Sequence, residues 1–148
     1  MQALPAFGRF EGIEHHFQVR VYFEDTDLTG VVYHANYLRF FERARSDMVA
    51  LAGADMRAVH EAGIGAYALR AANVRYHAPA RLADDLVVVS RLMRLRPAAL
   101  DIHQRVMRER TIVAEAEIEA VFVSPAGRPR RQPAEWVEAF APLVCKGN

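Results

Sequence analysis

Lysine is almost missing from this chain. Lys146 is the only one, and arginine carries nearly all the positive charge. Cysteine is equally scarce. Cys145 stands alone, so no internal disulfide can form. No stretch approaches the ~20 consecutive apolar residues of a membrane span. The first ten residues, "MQALPAFGRF", show no long apolar run after a basic start, so no secretory signal is expected and the default location is cytoplasmic. Nor is there a strong excess of either charge. Lys plus Arg number 19 against 18 Asp plus Glu, which argues against a dedicated nucleic-acid binder. Cys/His clusters with metal-ligand spacing and glycine-rich phosphate loops are both absent. What remains is a 148-residue chain of single-domain size, long enough to bury roughly two-thirds of its unfolded surface without staples.

The periodicities define an order of elements. In "EHHFQVRVYFED", Phe17, Val19, Val21 and Phe23 alternate with His16, Gln18, Arg20 and Tyr22, the period of a strand with one buried face. The period then changes. Tyr37, Phe40, Phe41, Ala44, Met48 and Leu51 recur at spacings of three and four, with Arg39, Glu42, Arg43, Arg45 and Asp47 between them. This predicts an amphipathic helix of about four turns, with Asn36 as N-cap, Gly53 as stop and the arginines on a solvated face. A loop or short helical turn runs to about Gly63. Four strand-like segments follow: "IGAYALRAANVRYHAPA", Asp85 to Arg96, "LDIHQRVMRER" and "TIVAEAEIEAVFVSP". Alanine is a weak strand former, so Ala114–Ala120 also admits a helical reading, but the two-residue period favours strand. "SPAGRP" is a turn, and Pro133 opens a short C-terminal helix over about 133–144. One long helix against consecutive antiparallel strands is an α+β domain, with a core over about 14–123 and the sheet curled around the helix.

Three carboxylates, Glu24, Asp25 and Asp27, fall where the first strand passes into the helix. Each can be a turn or cap residue. The same place also suits chemistry. The first N–H groups of a helix lack partners and favour negative charge, so a carbonyl oxygen aimed at them is polarised and a developing oxyanion stabilised. A carboxylate a few residues earlier can attack the carbonyl carbon or deprotonate a water that does. Gly30 lets the backbone approach a ligand closely. Taken singly, His34 reads as a hydrogen-bonded structural histidine and Asn36 as a cap.

The run "VYFEDTDLTGVVYHANYLRFFERAR" resembles the signature of hotdog-fold acyl-CoA thioesterases of the 4-hydroxybenzoyl-CoA thioesterase type, most of all the branch associated with the Tol–Pal system. "NVRYHAPARLADDLVVV" resembles that family's second recurrent segment, and the likeness spans roughly residues 14–123. The resemblance implies hydrolysis of an acyl-CoA thioester to free acid and CoA, without metal or further cofactor. It implies Asp27 as nucleophile or general base, with Asp25 less central. The carbonyl-polarising N–H falls on His34, whose side chain can position water or substrate. Gly30, Val31, Val32, Tyr33 and Asn36 would shape the substrate pocket. It further implies a homodimer or homotetramer with interfacial sites. Arg96, at the turn "RLRPAAL", would meet the CoA phosphates, with Arg94 near it and Arg81 and Arg91 as other candidates; Pro97, Ala98 and Ala99 stand where relatives can be basic. Two alternatives remain: a hotdog hydratase or dehydratase, and a non-catalytic module binding acyl-CoA or an acyl-carrier protein.

Overall fold

The computed structural model describes residues 7–146; the first six residues of the segment read for a secretory signal lie outside it. Six strands form one antiparallel sheet: β1 (Arg9–Glu11), β2 (Glu14–Arg20), β3 (Ala66–Tyr76), β4 (Asp85–Arg96), β5 (Ala99–Arg108) and β6 (Thr111–Val123), in the order β1-β2-β4-β5-β6-β3. Helix α1 spans Tyr37–Ala52, α2 Met56–Glu61 and α3 Ala134–Phe140. The α+β expectation holds, and so does the strand reading of Ala114–Ala120.

Strand register explains the core. Val19 faces Leu86, Val88 faces Val106, and Ile102 faces Ile118, so one face of the sheet is apolar. α1 lies over β2 and β4 and buries Tyr37, Phe40, Phe41, Ala44, Met48 and Val49 on it. Gly53 ends the helix at φ 115°, a left-handed conformation that glycine adopts without Cβ strain. Because α1 sits off-centre, and because Ala68 and Ala120 are small, a cavity of about 410 Å³ opens between the helix and the β3 side of the sheet. Leu38, Val49, Tyr67 and Leu69 also line it.

Several expectations are corrected. β2 ends at Arg20, and Phe23 begins a 3-10 turn, Phe23–Asp25, that leaves it 83% exposed rather than buried. Leu51 lies off the apolar stripe and is 44% exposed; Val49 is buried instead. Arg45 is not on a solvated face: its guanidinium reaches inward and donates to Gln104 Oε1 at 2.9 Å. Gln104 is fully buried and donates in turn to Ser90 Oγ and Phe41 O. Pro133 stands just before α3 with ψ 135°, not inside it. β1 extends the sheet ahead of residue 14. Finally, β3 does not pair with the strand that follows it. It crosses to the far edge and pairs with β6, from Ala66↔Val123 to Tyr76↔Ala114.

Candidate active site

Asp27 stands on a small hairpin between β2 and α1. Thr26 bridges Val32, the Asp27 N–H donates to Val31 O at 3.0 Å, and the Gly30 N–H donates to Asp27 O at 3.0 Å. The turn closes because Gly30 takes φ +80°, which other residues reach only at a cost. Thr29 then grips the carboxylate: its N–H (2.8 Å) and its hydroxyl (2.5 Å) both donate to Oδ1, so Oδ2 remains open. The Thr29 hydroxyl, and next its N–H, hold the Asp27 carboxyl below the usual carboxylate range; nearby His34 acts in the same direction. Asp27 is exposed and ionised.

Asp25 has a different environment. It is 5% exposed; its Oδ2 accepts from the Tyr22 N–H at 2.8 Å and its Oδ1 from Asn36 Nδ2 at 2.8 Å. The Asp25 carbonyl accepts the Tyr33 N–H at 2.9 Å. This corrects the expectation for Asn36. It does not cap α1: it has helical φ and ψ, makes no side-chain cap bond, and spends its buried amide on Asp25. A 3-10 turn, His34–Asn36, precedes α1, so the free N–H groups belong to His34 and Ala35. Neither has an acceptor among the described residues. His34 sits against Tyr33, with ring centroids 4.6 Å apart, and Tyr76 donates its hydroxyl to His34 O at 2.9 Å.

The hairpin is docked on the segment before β4. Val31 bridges Arg81, and the Val32 N–H donates to Ala80 O at 2.8 Å, which buries Val32 and leaves Tyr33 half-exposed. Asp27, Gly30, Val31, Val32, Tyr33, His34 and Asn36 therefore converge. Arg96 does not join them. It lies at the far end of β4, roughly 36 Å from the Asp85 end at the usual rise per residue. Its guanidinium is held by Asp101 and Glu119. Sequence reasoning missed Thr29, whose signal is the side-chain turn of an Asp with a hydroxyl two residues on. It also missed the link from Tyr76 to His34, for which no local signal exists.

The connection into α1 thus carries an open carboxylate oxygen on Asp27 and two unpaired N–H groups, on His34 and Ala35. Residues 21–142 match the model of the thioesterase-like superfamily. The chain is 40% identical over 124 residues to the acyl-CoA thioester hydrolase YbgC of Escherichia coli O6:H1, covering 82% of this chain and 92% of that protein. Among solved structures it resembles a probable thioesterase from Bartonella henselae, at 33% identity and TM-score 0.77, over 81% of this chain and 99% of that one. A 4-hydroxybenzoyl CoA thioesterase, at 22% identity and TM-score 0.78 over 86% and 98% of the two chains, shares the fold. The match over most of its length establishes that the chain belongs to the thioesterase-like superfamily, and with it the hotdog fold.

Proposed function

We propose that the chain hydrolyses acyl-CoA thioesters to a free carboxylic acid and CoA. The observation that carries this reading is the pairing of an ionised Asp27, with Oδ2 open, and unpartnered N–H groups at His34 and Ala35. The thioester carbonyl oxygen would lie on the His34 N–H, where the helix-end dipole opposes the charge that builds up in the tetrahedral state. In one route Asp27 Oδ2 takes the proton of a water that attacks the carbonyl carbon; the C–S bond breaks, and the carboxyl passes that proton to the sulfur so that CoA leaves as the thiol. In the other Oδ2 itself attacks, and the C–S bond breaks to release the thiolate. Water then cleaves the mixed anhydride, freeing the acid, restoring the Asp27 carboxylate and supplying the proton that the thiolate takes up. Gly30 to Tyr33 form the wall beside the reacting carbon. No metal or further cofactor enters the scheme.

β3 supports a dimer. It is an eleven-residue edge strand with nearly every residue exposed or half-exposed, a form that pairs with another edge. Antiparallel pairing of β3 with its copy, about a two-fold axis perpendicular to the strand, would bring the Asp27 turn of one copy to the 410 Å³ cavity of the other, which suits the acyl group. A pair of such dimers, a cytoplasmic location and association with Tol–Pal proteins belong to the same reading and rest on the motif alone.

The test is a panel of short, long and aromatic acyl-CoAs, with released thiol followed by a colorimetric reagent, with and without chelator. The expected result is turnover of at least one member, unchanged by chelator. No thiol from any member would hand the site to an acyl-CoA or acyl-carrier-protein binding module. Hydration of an enoyl thioester without thiol release would hand it to hydratase chemistry.

A further inference from the structure

Arg45 stands on α1 with its guanidinium turned inward, and Gln104 fixes it there. Gln104 Nε2 donates to Phe41 O and to Ser90 Oγ, both at 2.9 Å, which leaves Oε1 to accept from Arg45 Nη1 at 2.9 Å. Ser90 and Gln104 are fully buried, so this bracket has little room to shift. The bond uses one part of the guanidinium. The remaining edge, Nε and Nη2, is the side-on fork that fits a carboxylate. Among the described residues neither of these nitrogens has an acceptor, and neither is sealed from solvent.

Arg45 also lacks a counter-ion. Other partly buried arginines are neutralised: Arg91 and Arg105 by Glu14, Arg96 by Asp101 and Glu119, Arg108 by Asp84. Arg45 has only Glu42, three residues earlier on α1, which is exposed and acts through space without a bond. Burial lowers the Arg45 pKa and Glu42 opposes this, but a guanidinium remains a cation at neutral pH. This cation lines the 410 Å³ cavity, beside an otherwise apolar wall of Val49, Leu100 and Ile102. Tyr67 adds its ring, because its hydroxyl is spent on Gln132. A cation in such a wall is costly without an opposite charge. A hydrocarbon chain filling the cavity would strip water from the free fork and return no bond. At ~30 Å³ for each water-sized group, the space suits on the order of ten of them, a short chain with its end group.

Resting on the thioesterase reading, in which this cavity takes the acyl group, we infer that the acyl group ends in a carboxylate and that the free fork of Arg45 binds it. The substrate class is the CoA monothioester of a short dicarboxylic acid, and Arg45 is the residue that sets this specificity.

The experiment pairs glutaryl- and adipyl-CoA with 5-methylhexanoyl- and 6-methylheptanoyl-CoA, in which an isopropyl group replaces the carboxylate at similar size. Uncatalysed thiol release is subtracted. The wild type should favour the dicarboxylic member of each pair by about 10–100-fold in kcat/KM. Arg45→Gln should lose that preference, falling on the dicarboxylic esters and gaining on the branched ones. Arg45→Lys keeps the charge without the fork and should lie between. A wild type indifferent within each pair, or an Arg45→Gln that loses both classes equally at matched folded fraction, overturns the inference. If Arg45→Gln does not fold, the wild-type ratio and Arg45→Lys decide. Calorimetry with two thioethers that cannot be hydrolysed, S-(5-carboxypentyl)-CoA and S-(6-methylheptyl)-CoA, separates this from failure of the hydrolase reading. Tighter binding of the first by wild type, lost in Arg45→Gln, supports the inference even where no thioester is cleaved. Equal affinity for the two overturns it, whatever esters are hydrolysed.

Discussion

Asn36 Nδ2 donates to Asp25 Oδ1 at 2.8 Å, and both side chains are buried. That bond ties the start of α1 to the 3-10 turn that follows β2, with the Asp27 hairpin held between them. The two aspartates of "DTD" thus have separate tasks, one architectural and one open to a ligand.

Asp27→Asn should remove the anionic nucleophile or base while keeping its size. Loss of kcat should be about 10²–10⁴-fold or more. Melting temperature should stay close to wild type, because the side chain is exposed. Since Thr29 holds the carboxyl below its usual range, wild-type activity should stay flat from neutral pH down to the ordinary carboxylate range and fall only below it. Full activity in Asp27→Asn at matched folded fraction would show that the group lies elsewhere.

Asn36→Ala should behave in the opposite way. It leaves Asp25 Oδ1 buried without a donor, a defect worth about 1–3 kcal/mol. Thermal unfolding should shift down by several degrees. A kcat per folded molecule that falls as far as in Asp27→Asn would contradict the structural assignment.

His15 sets a pH limit on stability. Its ring is fully buried, faces Ser90 across the sheet, and packs beside Phe10 and Phe17. Nε2 lies 2.6 Å from Asp47 Oδ2, which also accepts the Gly8 N–H at 3.0 Å, while Nδ1 has no partner among the described residues. Burial pulls the His15 pKa below its usual value; Asp47 opposes this, and neighbouring His16 adds to it. A base with a depressed folded pKa takes up its proton more readily when unfolded. The stability is therefore present above about pH 6.5 and is lost as pH falls from there through the folded value. Chemical denaturation at pH 8 and pH 5 should show this loss in wild type and a smaller one in His15→Phe. Identical pH slopes would exclude His15 as the cause.

Sedimentation should give at least twice the 16.7 kDa chain mass at micromolar concentration. A charge placed on β3 in Ala71→Asp should shift the chain toward monomer and reduce activity in step. A monomeric wild type with full activity would remove the shared-site reading.

Much of this architecture was legible because it is local. β4 runs from Asp85 to Arg96 as its valine and leucine run indicated, and Gly53 stops α1 where expected. The motif placed Asp27 and His34 correctly on the connection into the helix, and the thioester-hydrolase expectation agrees with the family. What escaped were pairings between distant residues. Nothing in the spacing of Arg45, Ser90 and Gln104 shows that they meet, and an arginine between apolar helix positions ordinarily faces water. Asn36 misled for a different reason. Its type and place fit a cap, but its backbone is already helical, and its Nδ2 donates to a buried carboxylate eleven residues earlier.

The crossing of β3 to the far edge has a consequence for how the chain folds. β3 is made early in the chain but rests on β6, with β4 and β5 between them in sequence. Closing so long a loop costs entropy before any strand pairing returns it, so β3 should dock late. During synthesis it must wait for β6 to emerge, and until then its eleven residues have no sheet edge to join. The surface that would meet a second copy is therefore finished last, after the core beneath α1 has closed, so that subunits should meet as folded chains rather than as tangled intermediates.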